Sequence, residues 1–159
     1  MPHVLNNVLE DKNNICIVIG GGPELNKFKS SIENLEIASQ IIILGRLPNS
    51  KIQNYYSLSD IFINPTYTEG FPRVLLEAMA SGLPIVTTDA GGIIDILGPK
   101  QQKFISSKSD RDSFSNMLSH LMKDPDLQNE LSNENISEVK KFSTKNISKM
   151  FINKILNND

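Results

Sequence analysis

The sequence predicts an α/β domain in which helices cover both faces of a parallel β-sheet. Short runs of apolar residues recur along the first two thirds of the chain, helical segments separate them, and glycine or proline follows most of the runs. Strands that are apolar on both sides need cover on both faces, and the helices between them supply the crossovers that parallel strands require. The predicted architecture is therefore Rossmann-like.

The predicted elements follow one another in a regular order. The residues before position 15 have the pattern of a helix that leads into the first strand. Strands are predicted at ICIVI (15–19), IIIL (41–44), IFIN (61–64) and PIVTT (84–88). Helices are predicted at about 23–35, 49–58 and 72–81, with proline in the first turn of two of them.

The C-terminal third is predicted to be helical. Strand patterns stop beyond residue 105, and helices are expected at about 110–123, 126–140 and 144–156. The last segment carries an apolar stripe at Ile147, Met150, Phe151 and Ile155, which we interpret as core rather than interface. Because a doubly wound domain normally has a strand ahead of its first helix, we interpret residues 1–159 as one domain of a longer protein.

Composition narrows the functional classes. The 159 residues are 39% apolar and 21% charged, which is typical of a soluble globular domain. The net charge of −2 is spread without long blocks of one sign, so nothing indicates a nucleic-acid partner. No apolar run approaches the roughly 20 residues that span a bilayer, and we expect a cytoplasmic location. The single cysteine, Cys16, is expected to be a small buried hydrophobic residue.

The stretch TEGFPRVLLEAMASG (68–82) predicts the functional site. In sheets of this class ligands bind beyond the carboxyl ends of the strands. Pro72 is expected to open the helix, which leaves Glu69 in the preceding loop and Glu77 about one and a half turns in. The free N–H groups of the first turn favour a phosphate. Two carboxylates on the order of 10 Å from it could accept the hydroxyls of a nucleotide diphosphate sugar.

These motifs resemble those of a known family. GGGPEL, followed by LGRLPNSKIQNYYSLSDIFINPTYTEGFPRVLLEAMASGLPIVTTDAGGIIDIL, strongly resembles the C-terminal nucleotide-sugar-binding domain of group 1 (family 4) glycosyltransferases. Those are retaining enzymes with two Rossmann-like domains, the GT-B architecture. The resemblance is close over residues 15–97 and loose over the helical tail. The E-x(7)-E pattern alone is weak, but within this context it is specific.

The resemblance implies roles for particular residues. It implies that Glu77 binds the ribose, that Glu69, the candidate catalytic residue, lies by the donor sugar, and that a strand end lines the base. The backbone contacts to the diphosphate and sugar would come from Gly70, Phe71, Arg73 and Val74. The base-lining strand end would be Gly45, Arg46 and Leu47, while Gly21 and Gly22 would allow close approach of the ligand. Arg46 could equally be a surface residue, and the glycines of GGGP could form only a turn.

Some features depart from the family pattern. Asp95 stands where the family usually has Glu, and GPKQQKFIS replaces the usual Asn-Gly turn. The basic pair that grips the diphosphate, and the N-terminal acceptor domain, would lie upstream of residue 1.

The Asp-x-Asp at Asp110 and Asp112 resembles a metal motif of another glycosyltransferase fold, but SKSDRDSF is better interpreted as a helix start with Ser109 or Asp110 as N-cap.

The sequence thus predicts a glycosyltransferase domain that binds a nucleotide diphosphate sugar, UDP-linked by preference, without a metal or other cofactor. The resemblance implies transfer with retention to a glycan or lipid-linked acceptor, held by the upstream domain, in bacterial surface polysaccharide assembly. The full protein could associate peripherally with the inner face of the plasma membrane. Two alternatives stay open, a GT-B sugar epimerase and a nucleotide-binding module without catalysis.

Overall fold

The computed structural model describes residues 2–70, 72–143 and residue 146. The helices are α1 (Pro2–Val8), α2 (Leu25–Ile32), α3 (Asn49–Ser57), α4 (Arg73–Ala80), α5 (Arg111–Met122) and α6 (Pro125–Val139). The strands are β1 (Cys16–Ile19), β2 (Ile41–Gly45), β3 (Phe62–Asn64), β4 (Ile85–Thr88) and β5 (Ile105–Ser106). Short 3-10 turns cover Glu36–Gln40, Gln101–Phe104 and Lys140–Phe142. The alternation of strands and helices confirms the predicted α/β class.

The strands pair in parallel, as predicted, and they form two sheets. In the first sheet β1 pairs with β2, with Cys16 opposite Ile41. The second sheet has the order β3-β4-β5, with Phe62 opposite Ile85. Among the described residues, no strand pairs with the second edge of β1 or of β3. Sequence patterns identify the strands, but the pairing of neighbours depends on tertiary structure, so the division was not predicted.

Helix α1 joins the two sheets. It packs against α2 beside the first sheet and against α5 beside the second. Its buried side chains Val4, Leu5 and Val8 recur at helical spacing on one face. They enter a first apolar core that also takes Val18 from β1 and Ile63 from β3. The two sheets therefore share one core although their strands do not pair.

Strand β4 separates the first core from a second one. All four of its residues are buried, because apolar cover lies on both sides. Val86 points into the first core and Ile85 into the second, as the alternation of strand side chains requires. The second core adds Tyr56 from α3 and Leu75 and Met79 from α4.

None of the helices in the described residues has the length and apolar character needed to cross a membrane.

Three predicted boundaries need correction. Helix α2 ends at Ile32, and the rest of the predicted 23–35 segment leads into a 3-10 turn. Pro72 is the N-cap of α4 and not its first residue, because its ψ of 71° is not helical. A fifth strand, β5, extends past residue 105, and its two residues are too few to give a sequence pattern. The helix predicted at 144–156, with its apolar stripe, lies outside the described residues apart from position 146.

A side-chain amide completes one edge of β4. The N–H of Ile85 donates to Gln101 Oε1 at 3.0 Å, and Gln101 Nε2 donates to the carbonyl of Ile85 at 2.6 Å. Asn135 Nδ2 donates to the same Gln101 oxygen and to the carbonyl of Leu83, each at 2.8 Å. Gln101 is fully buried. Its amide thus pairs with Ile85 as a neighbouring strand would, ahead of the point where β5 begins.

Candidate functional site

The N-terminus of α4 carries the open amides that the sequence predicts. No side chain caps the helix, and the Pro72 carbonyl accepts from Leu75 N–H at 3.0 Å. The N–H groups of Arg73 and Val74 have no acceptor among the described residues. Both residues are exposed. With the positive end of the helix dipole, this helix start can attract an anion.

Glu77 lies on the same helix, one turn further on, and is half-buried. The hydroxyl of Tyr56 donates to Glu77 Oε2 at 3.3 Å. The Tyr56 ring packs in the second core with its centroid 5.7 Å from that of Phe62. Burial, and then the neighbouring Glu77 carboxylate, raise the pKa of Tyr56 well above its usual range. The hydroxyl therefore stays protonated and remains a donor at neutral pH.

The loop that carries Glu69 is fixed by the ends of β3 and β4. Thr88 Oγ1 donates to the carbonyl of Thr66, and Thr66 Oγ1 donates to the carbonyl of Thr68 at 3.0 Å. A Cβ added at Gly91 would lie 3.0 Å from the carbonyl oxygen of Glu69. Gly91 thus leaves room for the loop that precedes α4 to pack directly on it. Glu69 itself is half-buried.

The ends of β1 and β2 form a second group of predicted site residues. The N–H of Gly20 donates to the carbonyl of Gly45 at 2.8 Å. Gly45 has a φ of +70°, a conformation that glycine adopts without strain. A Cβ at Gly21 would lie 2.9 Å from Arg46 Cγ, so the Arg46 side chain lies across Gly21. The structure therefore brings Gly21, Gly45 and Arg46 together.

Helix α3 links the two groups. It starts at Asn49, just after the Arg46–Pro48 segment, and its last turn brings Tyr56 against Glu77. Leu47, in that segment, is half-buried. The remaining predicted residues are less constrained, since a Cβ at Gly22 or Gly70 would have no neighbour within 4 Å. Phe71 lies outside the described residues, so its predicted backbone contact stays a prediction.

The two groups have complementary chemistry. Glu69 and Glu77 offer carboxylate oxygens, which accept hydrogen bonds from hydroxyl groups. Arg46 and Arg73 are exposed cations, and α4 adds free amides and its dipole. Such a set can hold a ligand that is hydroxylated at two points and negatively charged between them.

Two cavities lie outside or beside this site. A cavity of about 530 Å³ is lined by Lys103, Phe104, Asn116, Met117, His120 and Leu127, none of which belongs to the predicted site. A smaller one, of about 90 Å³, lies beside the loop that leads to Glu69, between Thr66, Tyr67 and Thr88. The predicted site residues lie instead at the ends of the strands and at the start of α4.

Two other sequence features have structural explanations. Asp110 is the N-cap of α5 and accepts from Ser113 N–H at 2.8 Å, which confirms the helix-start interpretation of Asp-x-Asp. Cys16 packs at the edge of the first core, where burial raises the pKa of its thiol to about 11. That value disfavours a thiolate nucleophile at neutral pH.

Sequence reasoning missed two residues next to the predicted acids. Tyr56 was expected only as part of a helix, because its contact with Glu77 joins residues 21 positions apart. Gly91 was not among the predicted site residues, and its close approach to the Glu69 carbonyl is a tertiary contact. A glycine pair just beyond a buried strand does indicate close backbone approach, and that signal could have pointed to the Glu69 loop.

Comparisons with known proteins identify the family of the chain. The profile of the family described as "Glycosyl transferases group 1" matches residues 1–138. A Bacillus subtilis protein named as a teichuronic acid biosynthesis glycosyltransferase, TuaC, is 38% identical over 68 residues, which are 43% of this chain and 18% of the relative. The matched segment therefore covers less than a fifth of that relative's length.

Solved structures share the fold. The C-terminal domain of a group 1 family glycosyl transferase, LpcC, from Francisella tularensis superposes with a TM-score of 0.76 at 22% identity, covering 88% of this chain and 75% of that one. Anabaena Alr3699/HepE, solved in complex with UDP, gives a TM-score of 0.82 at 19% identity over 98% of this chain and 44% of that one. Because the family profile spans most of the sequence and the fold is that of a C-terminal GT-B domain, this chain belongs to the group 1 glycosyl transferases.

Proposed function

We propose that the chain binds the donor of a retaining glycosyltransferase, a nucleotide diphosphate sugar that is UDP-linked. The acceptor, a glycan or a lipid-linked glycan, would be held by the rest of a longer cytoplasmic protein at the inner face of the plasma membrane. The likeness to a protein named for teichuronic acid biosynthesis favours a role in bacterial surface polysaccharide assembly. Retention is proposed from family membership.

The observation that carries the proposal is the half-buried Glu77 on α4, one turn from an uncapped helix start. Among the described residues its carboxylate bonds only to Tyr56, through Oε2. A carboxylate held beside a core without a cation partner costs stability, so its presence is better explained by a ligand than by folding. Ribose hydroxyls would satisfy the other oxygen. The UDP bound to the structurally similar HepE supports the choice of nucleotide.

The chemistry proposed for these groups is charge stabilisation. When the sugar leaves, negative charge grows on the diphosphate, and preorganised N–H groups at a helix start stabilise it. Arg46 and Arg73 would add positive charge at the rim of the site. We propose that these groups suffice without a metal ion. Glu69 would contact the transferred sugar, next to the bond that breaks.

Calorimetric titration of residues 1–159 with UDP tests the proposal. We expect weak binding that is unchanged by EDTA. No binding would refute the nucleotide site, and binding abolished by EDTA would refute metal independence.

Two substitutions separate the proposed roles of the acids. Glu77→Gln should weaken UDP and UDP-sugar alike by about 10- to 100-fold, because a hydrogen bond to a charged group contributes about 1.5–3 kcal/mol. Glu69→Gln should leave UDP binding nearly intact while weakening the sugar nucleotide, and it should lower kcat in the complete enzyme. Each variant also needs a thermal unfolding curve. Equal losses of UDP affinity in both variants would show that the two roles are wrongly assigned.

A further inference from the structure

The hydroxyl of Tyr56 occupies an unusual position between two acceptors on α4. It lies 3.3 Å from Glu77 Oε2 and 3.4 Å from the carbonyl oxygen of Val74. Both distances are long for an O–H donor, whose common range is about 2.5–3.0 Å. The Val74 carbonyl lies within a helix, whereas Glu77 Oε2 has no other partner among the described residues.

The ring of Tyr56 is held much more firmly than the carboxylate it faces. Tyr56 is 8% exposed and packs in the second core with Leu75 and Met79. Its ring also contacts Phe62, at the start of β3, with planes tilted by 60°. Glu77 has a flexible side chain and only one bond from its carboxylate among the described residues. The fixed hydroxyl therefore restricts the carboxylate and not the reverse.

We infer that Tyr56 is a positioning residue, which orients Glu77 so that its other oxygen, Oε1, faces the ribose of the donor. The inference rests on the proposed function of the site. Its basis is one oxygen held by a core aromatic residue while the second has no partner among the described residues.

The same helix extends this role to the base. Helix α3 begins directly after Arg46 and Leu47, which are expected to line the base, and it ends with Tyr56 at Glu77. One rigid helix thus fixes the distance between the base-binding segment and the ribose acceptor. A protonated hydroxyl is required throughout, and burial together with the Glu77 carboxylate raises the pKa of Tyr56 above its ordinary value.

The test compares UDP with 2′-deoxy-UDP in residues 1–159 and in Tyr56→Phe. The substitution keeps the ring and its packing and removes only the hydroxyl. UDP affinity should fall by about 3- to 10-fold, the value of one hydrogen bond, while 2′-deoxy-UDP affinity falls less. The preference for the ribonucleotide should therefore shrink. Tyr55→Phe is the matched control, since the Tyr55 hydroxyl makes no hydrogen bond in the part of the chain that the structure describes.

The other outcomes are equally decisive. Equal losses for both nucleotides, no loss for either, or failure of Tyr56→Phe to fold would each overturn the positioning role. In the double variant with Glu77→Ala, removal of the hydroxyl should have no further effect, and additive losses would also count against coupling. If the unchanged chain binds no UDP at all, the proposed function fails, and this inference fails with it.

Discussion

Replacing Gln101 with methionine should strongly destabilise the domain. Methionine keeps the length and shape of the side chain but removes the amide that pairs with both backbone groups of Ile85. Gln101 is fully buried, so water cannot reach the groups left behind. An unsatisfied buried donor or acceptor costs about 1–3 kcal/mol, and the N–H and carbonyl of Ile85 together would cost about 2–6 kcal/mol. Asn135 would still donate to Leu83.

Urea titration followed by far-UV circular dichroism measures this loss. The midpoint should fall at an unchanged slope, and the melting temperature should fall by about 5–20 °C. Gln102→Met is the matched control. Gln102 also donates to two backbone carbonyls, those of Ile94 and Leu97, but it is half-exposed and water can replace its bonds. If Gln101→Met loses no more stability than Gln102→Met, water must reach the backbone N–H and carbonyl of Ile85, and the argument is refuted.

Two further predictions concern Gly91 and Cys16. Gly91→Ala should displace the Glu69 carbonyl by a few tenths of an ångström and weaken the binding of UDP-sugar more than that of UDP. Ile94→Ala, at an exposed position of the same loop, should change neither affinity. Equal changes in the two affinities of Gly91→Ala, measured by calorimetry, would contradict this prediction. Because burial raises the pKa of Cys16 from 9.0 to about 11, the unfolded chain ionises first, and up to about 3 kcal/mol of stability should be lost between those pH values. The urea midpoint of Cys16→Ala should fall less over that pH range than the midpoint of the unchanged chain. Parallel plots of midpoint against pH for the two proteins would exclude the effect.

The sequence predicted those parts of the fold that depend on local pattern. The apolar run at 84–88 identified β4 because that strand is buried on both faces. The two-residue β5 and the division into two sheets depend on pairing between distant segments, which periodicity does not record. The role of Gln101 was missed for the same reason, since a glutamine in a loop normally indicates solvent exposure.

The candidate site shows the same division. Glu77 was found because a carboxylate within an apolar helix breaks the local pattern, and its half-burial fits that reasoning. The contact of Arg46 with Gly21 and the restraint on Glu69 by Gly91 are tertiary contacts. Family resemblance indicated which residues to consider, while only the structure gives the distances that connect them.

The predicted site residues lie at the ends of strands from both described sheets, and this has a consequence for how a ligand would act on the domain. Val18 of β1 and Ile63 of β3 pack in one apolar core, which couples the two described sheets through side-chain contacts. Dispersion and hydrophobic contacts lack the directionality of a hydrogen-bonded ladder. A nucleotide bound to both groups of site residues would add directional hydrogen bonds between them, so the ligand would stabilise the domain as well as occupy its site.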